Sequence, residues 1–191
     1  DSQIFTLQAY GGISRYFVKL LKELHGHGVD ARVFASIYQN KYLSELPQKF
    51  VSGVGINRYP PKTARIFKAI NHIACNFAVG GYKPDVLHET YYSSLGTPYA
   101  SGAARFVTVY DMIHEKFPND FSPTDKTTRN KFKAVERAEH VICISESTKN
   151  DLCEIFGTDS KKVSVVYLGF DEITTKPVST MSRPGKPYFL Y

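Results

Sequence analysis

The sequence predicts an α/β fold: a Rossmann-like, mostly parallel sheet with helices on both faces. Two observations lead to this prediction. Segments whose apolar residues recur at helical spacing alternate with short β-rich apolar runs, the order typical of right-handed strand–helix–strand crossovers. Polar residues follow one such run after another, as expected where parallel strands deliver ligand-binding side chains to one edge of a sheet.

The first half of the chain predicts two helices and three strands. Apolar residues recur at helical spacing from Ile13 to Leu24, and Gly26 and Gly28 follow as stop signals. The other predicted elements are strands at residues 29–35, 49–56 and 85–88, and a helix between the Pro-Pro pair at 60–61 and the Gly-Gly pair at 80–81.

The second half predicts three further strands and two helices. The β-rich runs that predict strands lie at residues 105–110, 140–144 and 162–168. A helix is expected from Ser122, with Ser122 as N-cap and Pro123 in the first turn, to about Ala138. A short helix at residues 147–156 is expected to end at Gly157.

The composition is that of a soluble globular protein, with 191 residues, 42% of them hydrophobic and 22% charged. No apolar run approaches the roughly 20 residues that span a bilayer. The three cysteines are widely spaced and lie in apolar patterns, which excludes a disulfide framework or a Cys-rich zinc site and favours a reducing compartment.

The formal net charge is +6, from 24 basic and 18 acidic residues. Such a balance fits an anionic partner: a nucleic acid, a membrane surface or a phosphorylated substrate. The basic residues are spread along the chain, so a mildly basic surface without such a partner is an equal alternative. Basic and aromatic residues do not interleave along one strand, so the sequence does not indicate a nucleic-acid-binding sheet.

Two groups of candidate site residues flank predicted elements. Gly11 and Gly12 precede the first helix, where they would let a phosphate or sugar approach backbone N–H groups, unless they form a plain turn. Asp111 and His114 follow a buried strand and could act as an acid/base pair or bind hydroxyls. The alternative for this pair is an Asx turn followed by a surface histidine.

Two more strand ends carry polar residues. His88 and Glu89 could bind hydroxyls or simply close a strand. Ser145 and Glu146 could supply hydroxyl and N–H groups to a ligand, and helix capping by Ser145 is compatible with that role. The chain lacks the G-x-x-x-x-G-K-[ST], G-x-G-x-x-G, G-x-S-x-G and H-E-x-x-H motifs, which argues against the enzyme classes that those motifs mark.

Six stretches carry a resemblance across nearly the whole chain. They are QIF at 3–5, GGISRYF at 11–17, PDVLH at 84–88, TVYDMIHE at 108–115, ISESTKNDL at 144–152 and VVYLG at 165–169. In this order and spacing they resemble the N-terminal half of a family 4 (group 1) glycosyltransferase of the GT-B fold. The GGISRY and SESTK stretches are most similar to bacterial mannosyltransferase-like enzymes of surface polysaccharide assembly.

The resemblance implies an enzyme. The expected reaction transfers a hexosyl unit, with mannosyl from GDP-mannose as the expected case, to a lipid-linked or polysaccharide acceptor. It implies retention at the anomeric carbon, with no metal ion and no cofactor beyond the nucleotide-sugar donor. The expected location is cytoplasmic, with peripheral contact to the inner face of the cell membrane, and nucleic acid is not an expected partner.

The resemblance also assigns roles to the candidate residues. They are Asp111 and His114 as catalytic residues, Gly11, Gly12, Ser145 and Glu146 on the donor side, and Arg15, His88, Glu89 and Thr90 on the acceptor side. Many relatives have a histidine that contacts the transferred sugar where this chain has Tyr110. That role is assigned first to Asp111, with transfer to His114 or an altered role as alternatives.

The resemblance divides the chain at residue 173. Residues 1–173 are expected to form the N-terminal, acceptor-side domain, which would lack a first strand ahead of Asp1. Residues 174–191 are expected to be a linker and the first strand of a C-terminal donor-binding domain, so that the chain alone would be inactive. The alternatives are a standalone Rossmann-like module that binds a carbohydrate or nucleotide, and a charge-driven adaptor for nucleic acid or membrane.

Overall fold

The computed structural model describes residues 1–170, and these residues form an α/β fold. The strands are β1 (Val33–Tyr38), β2 (Val51–Gly55), β3 (Val86–Glu89), β4 (Ala104–Val109), β5 (His140–Cys143) and β6 (Val163–Val165). The α-helices are α1 (Gln3–Leu7), α2 (Gly12–Gly26), α3 (Lys41–Ser44), α4 (Ala64–Tyr82), α5 (Ile113–Lys116), α6 (Thr127–Arg137) and α7 (Glu146–Phe156). The predicted linker and strand at 174–191 lie outside the described residues.

All strand pairs are parallel, and helices cover both faces, as the sequence predicts. The strands nevertheless form two sheets rather than one: β1 pairs with β2, and the other four follow the order β3-β4-β5-β6. The short helix α1, which the sequence analysis did not predict, bridges the two sheets. Its Ile4 N–H donates to Thr90 Oγ1 (3.2 Å) just after β3, and its Phe5 carbonyl accepts from Gln39 N–H (3.4 Å) just after β1.

Helix α2 forms where the sequence predicts it, because its apolar residues share one face. Phe17, Val18 and Leu21 are buried against the first sheet. Gly28 adopts a positive φ of 78°, which lets Val29 N–H bond back to the carbonyl of Leu24 (2.9 Å). Residue 29 therefore still belongs to the helix end, and the strand predicted at residues 29–35 begins later, at the start of β1.

The pairing of β1 with β2 contains a bulge that a side chain of α4 satisfies. The register shifts between Phe34 and Ile37. Asn71 accepts from Ile37 N–H through Oδ1 and donates to the Ile37 carbonyl through Nδ2, both at 2.8 Å. The facing position on β2 is Gly53, where a Cβ would lie 1.8 Å from the carbonyl oxygen of Ala35. The two strands can therefore approach this closely only with glycine at that position.

Helix α6 begins four residues later than predicted, at Thr127 instead of Pro123. Asp125 Oδ1 accepts from Thr127 N–H (2.6 Å). Ser122 closes the turn before it, where its carbonyl accepts from Asp125 N–H (2.8 Å) and its Oγ from Thr124 N–H (3.3 Å). A carboxylate so close to the first free amides is the better acceptor, so the helix starts beside Asp125. The prediction of Ser122 as N-cap is wrong, whereas the end of the helix is close to the predicted Ala138.

The largest two clusters of buried side chains lie one against each sheet. The first includes Phe5, Phe17, Leu21, Ala35 and Tyr38, from α1, α2 and β1. The second is built on β4, β5, α6 and α7, with Val107, Val109, Val141, Cys143 and Leu152 among its members. Tyr91 packs against both clusters. The polar edge described below lies where these two cores meet.

Candidate functional site

Strand register brings the carboxyl ends of β3 to β6 to one edge of the four-stranded sheet. Glu89 pairs with Val107, Val107 with Val141, and Val141 with Val163. The segments that leave these strands, at 90–93, 110–112, 144–145 and 166–170, therefore start side by side. The convergence expected from the sequence follows from this parallel register.

Asp111 lies at this edge, in the turn between β4 and α5. Its Oδ1 accepts from the N–H of Ile113 (3.1 Å), which makes an Asx turn, and its side chain is 47% exposed. The turn is one of the two alternatives that the sequence left open. The carboxylate is thus held in place by its own backbone while it remains accessible from outside.

A buried ion pair supports the same turn. Lys131 Nζ, on the inward face of α6, lies 2.7 Å from Glu115 Oε2, and each side chain is only 1% exposed. Lys131 Nζ also donates to the Asp111 carbonyl (2.8 Å), lies 3.8 Å from Asp111 Oδ1 and lies 5.5 Å from the ring centroid of Tyr92. A single ammonium group therefore fixes both ends of the segment from 111 to 115.

Lys131 was not among the predicted site residues, although a signal for it exists. Lys131 precedes the buried Ala134 and Val135 by three and four residues, so helical spacing places it on the buried face. A lysine at such a position needs a partner, because burial of an unpaired charge is costly. The buried position of Lys131 therefore predicts an acidic partner elsewhere in the chain, although it does not predict that the partner is Glu115.

His114 is turned away from Asp111. Its ring stacks on Phe121 with centroids 3.8 Å apart, and its Nε2 lies 4.0 Å from Asp125 Oδ2. Within residues 1–170 the structure gives no hydrogen bond between the side chains of His114 and Asp111. The two residues are close in sequence, but the geometry does not pair them as an acid and a base.

Tyr110, where the resemblance implies a histidine, connects the starts of two helices. Its ring packs edge-on against Tyr16 of α2, with centroids 6.2 Å apart, and its carbonyl accepts from Thr148 Oγ1 of α7 (3.4 Å). Its N–H donates to Tyr92 Oη (3.4 Å). Burial raises the pKa of the Tyr110 phenol above its usual range, so the hydroxyl stays protonated. Through Tyr110, the amino ends of α2 and α7 both adjoin the end of β4.

At the first of these helix starts, Gly11 caps α2 without a side chain. Gly11 has an extended backbone, and its carbonyl accepts from Ser14 Oγ (3.0 Å). Gly12 is exposed, and a Cβ there would meet nothing within 4 Å. Arg15 is exposed in the same first turn. Backbone N–H groups at such a terminus are suited to an anion. The Gln8 side chain lies where a Cβ of Gly11 would stand, so the open space is at Gly12.

At the second helix start, Ser145 is a helix cap. Its Oγ accepts from Thr148 N–H (3.1 Å), so the capping role that the sequence analysis weighed is present. Glu146 is exposed in the first turn of α7, where a carboxylate favours the helix dipole. Ser145 and Glu146 thus lie at the edge, and their donor-side role stays a prediction.

Two of the predicted acceptor-side residues are engaged inside the protein. Glu89 is 3% exposed and pairs with Arg137 Nη2 at 3.1 Å, with Arg105 at 4.0 Å. Burial raises the pKa of Glu89, and the two arginines oppose that shift. Thr90 is buried and accepts from Ile4 N–H. No pattern in the sequence indicates these partners. The acceptor role of both residues stays a prediction with little exposed surface to support it.

His88 is held beneath α2. Its Nε2 lies 2.9 Å from Thr108 Oγ1, and its ring meets Phe17 edge-on, with centroids 5.0 Å apart. Burial lowers the pKa of His88 to about 4, so the imidazole is neutral at physiological pH. In this position His88 supports the packing of α2 on the sheet.

The low pKa of His88 makes stability depend on pH. In the unfolded chain His88 has its ordinary pKa of 6.5. In the folded protein it takes up a proton only near pH 4. The free energy of unfolding should therefore fall as the pH is lowered from about 6.5 to about 4, by roughly 3 kcal/mol. Urea denaturation at pH 7 and pH 4.5 measures this difference. The variant His88→Gln should lose less stability over the same interval, and an equal loss in both proteins would refute the prediction.

A cavity of about 450 Å³ lies elsewhere, between α4 and the segment after β3. Its walls include Arg65, Lys68, His72, Tyr91 and Asn130. None of the predicted site residues lines it.

In residues 1–170 no group of three or more His, Cys, Asp or Glu side chains is placed to hold a metal ion. No helix in this part of the chain has both the length and the apolar character needed to cross a bilayer.

Comparisons with known proteins agree with this architecture. No curated protein matches the chain significantly in sequence. The crystal structure of a glycosyltransferase from Rickettsia africae ESF-5 matches with a TM-score of 0.51 and 17% identity, over 85% of this chain and 41% of that one. That likeness shows the fold, and the chain spans less than half the length of that protein. The family model described as Glycosyltransferase Family 4 matches residues 10–172, so the chain belongs to glycosyltransferase family 4.

Proposed function

We propose that this chain is the acceptor-side half of a retaining glycosyltransferase. The whole protein would move a hexosyl unit from a nucleotide sugar to an acceptor. The observation that carries the proposal is the meeting of two helix amino ends, those of α2 and α7, around Tyr110 at the end of β4. Membership of glycosyltransferase family 4 supports the same class of reaction.

The chemistry of the leaving group explains why such an edge suits this reaction. A nucleotide diphosphate leaves as an anion, so catalysis needs N–H donors and positive charge around it. The amino end of α2 offers N–H groups, and the space beside Gly12 is open, whereas the Gln8 side chain lies against Gly11. A second domain would supply the remaining donor contacts and close the cleft against water, so the chain alone would not transfer sugar.

The accessible carboxylate of Asp111 is assigned to the sugar. In a retaining transfer, positive charge develops at the anomeric carbon as the diphosphate departs. A fixed carboxylate nearby stabilises that charge and accepts a hydrogen bond from a sugar hydroxyl. Asp111 fits because its Asx turn and Lys131 hold it while its side chain is half exposed. His114, stacked on Phe121, is the weaker candidate.

The substrates are proposed from the resemblance. Mannosyl from GDP-mannose is the first donor to try, and a lipid-linked or polysaccharide molecule is the proposed acceptor, with the reaction in the cytoplasm and without a metal. Of the four residues assigned to the acceptor, Arg15 is the one whose exposure supports the role, since Glu89 and Thr90 are buried and His88 lies under α2.

A charge placed at the start of α2 tests the proposal. We expect Gly12→Asp in the full-length protein to raise KM for the nucleotide sugar about tenfold, because a carboxylate would repel the diphosphate. The same carboxylate favours the helix dipole, so Tm should stay the same or rise slightly. Steady-state kinetics and thermal denaturation measure the two effects separately.

The matched control is Gly12→Ala, which adds a methyl group into open space. It should leave KM near the wild-type value. The proposal fails if Gly12→Asp and Gly12→Ala have the same KM, or if the full-length protein consumes no nucleotide sugar with any hexosyl group. Binding of nucleotide sugar without transfer would instead favour a standalone binding module.

A further inference from the structure

The net positive charge of the chain arises in one segment that lacks acidic residues, although the basic residues themselves are spread along the chain. Six of the 24 Lys and Arg residues lie between residues 46 and 84, and none of the 18 acidic residues does. This segment therefore accounts for the whole net charge of +6, and the rest of the chain is balanced. The segment contains β2 and the whole of α4.

Helix α4 is apolar on two opposite faces. Asn71, Cys75 and Val79 are among the residues that pack it against the protein. On the far side, about half a turn away, an apolar stripe follows the spacing of successive helical turns. We call it the α4 stripe, and its members are Ile66 (60% exposed), Ile70 (42%), Ile73 (58%) and Phe77 (65%). Phe77 also contacts the exposed ring of Tyr99, with centroids 5.2 Å apart, which widens the apolar surface.

Exposed cations lie at the amino end of the α4 stripe. Arg58 and Lys62 precede the helix, and Arg65 lies in its first turn, about 100° around the axis from Ile66. None of these three forms an ion pair with another residue among 1–170. Lys68 lies about 200° around the helix axis from Ile66, on the other side of α4 from the stripe. Long basic side chains beside an apolar stripe can hold their charges at a polar boundary while their stems lie along apolar surface.

We propose that the α4 stripe and its three cations dock the protein on an anionic lipid surface. A helix that lies in the membrane interface needs an apolar face to insert among the acyl chains and cations to meet the anionic headgroups. The α4 stripe with Arg58, Lys62 and Arg65 supplies both, and the absence of acid from residues 46–84 removes the repulsion that would oppose it. This inference does not depend on sugar transfer.

The charge pattern selects lipid over other occupants. A second copy of the chain would cover the isoleucines and Phe77 but would offer the three cations no acid from the same segment, since residues 46–84 contain none. A nucleic acid would pair with the cations but would leave the isoleucines and Phe77 exposed to water. An anionic bilayer complements both the charge and the apolar residues.

Vesicle co-sedimentation of the full-length protein, without donor, tests the inference. We expect binding to vesicles of phosphatidylcholine with 30% phosphatidylglycerol, weak binding to pure phosphatidylcholine, and loss of binding in high salt. The double variant Ile70→Gln/Ile73→Gln should reduce affinity at least about tenfold. Lys62→Gln should reduce it roughly fivefold.

Two controls match these changes. Ile155→Gln removes an isoleucine of α7 that is as exposed as Ile70, and Lys161→Gln removes an exposed lysine far along the chain. Both should bind like the wild type. The substitutions in all four variants are on the surface, and circular dichroism checks that each variant folds.

Three results would overturn the inference: no binding by the wild type, equal binding of test and control variants, or equal affinity for neutral vesicles. Self-association that the isoleucine variant abolishes, without vesicle binding, would also overturn it and would identify a second copy as the occupant. Nucleotide-sugar binding is measured on the same samples without vesicles, so failure of lipid docking and failure of the proposed reaction are distinguishable.

Discussion

Replacing Lys131 by Met is expected to lower the free energy of unfolding by about 3–5 kcal/mol, because it leaves the Glu115 carboxylate buried without its partner. The two groups are 2.7 Å apart, and each side chain is 1% exposed, so water cannot replace the lost ammonium. Met is one atom shorter than Lys but has a similar volume, so most of the loss comes from charge and hydrogen bonds rather than from a cavity. Thermal or urea denaturation measures the loss.

A second substitution separates the ion pair from the fold. In Lys131→Met/Glu115→Leu both charges are gone, and we expect this protein to be more stable than Lys131→Met, since hydrophobic replacement of a whole buried pair is often tolerated. Lys133→Met, two residues along the same helix and less buried, is the control and should change stability by less than about 1 kcal/mol. Additive losses in the double variant would contradict the account of the pair.

Local patterns predicted the elements of the fold well, and competing local signals explain the errors. Helix α2 follows from its apolar spacing alone. The starts of β1 and α6 were misplaced because two signals compete at each: Val29 can extend a strand or close a helix behind Gly28, and either Ser122 or Asp125 can supply the first cap. The sequence alone does not show which of two such competing signals prevails, whereas the hydrogen bonds of the folded protein do.

The division into two sheets could not be predicted, because strand pairing joins residues far apart in the chain. The apolar runs predict where strands form, but they do not predict which strands pair with each other. Here α1 bonds to the ends of both sheets through Ile4 and Phe5, and its five residues carry too short a pattern to predict a helix.

The candidate site was predictable in outline and not in detail. Parallel strands carry their following residues to one edge, so the positions of Asp111, Ser145 and the glycines could be expected. The partners of those side chains could not. Glu89 looks like a ligand-binding carboxylate until Arg137, 48 residues away, is found to hold it inside the protein. Lys131 is a similar case, since its helical position indicates burial but not the identity of the acid that it meets.

Asp111→Asn is expected to reduce kcat of the full-length enzyme by at least about 100-fold, the usual effect of removing one electrostatic contact to a transition state. The amide oxygen can still accept from Ile113 N–H, and the Asp111 carbonyl still accepts from Lys131, so the turn should survive. What is lost is the negative charge that we assign to stabilising the developing positive charge at the anomeric carbon. Because that charge develops in the transition state, KM for the donor should change little.

The controls decide between Asp111 and its neighbours. Asp120→Asn removes an exposed carboxylate nine residues further on and should leave kcat unchanged. His114→Gln should lower kcat less than tenfold, because the ring stacks on Phe121 rather than facing Asp111. If His114→Gln abolishes transfer while Asp111→Asn retains it, the sugar-contacting role belongs to the histidine, and α5 must turn when the donor binds. If both variants keep wild-type kcat, neither residue balances charge in the transition state, and the role proposed for Asp111 is overturned.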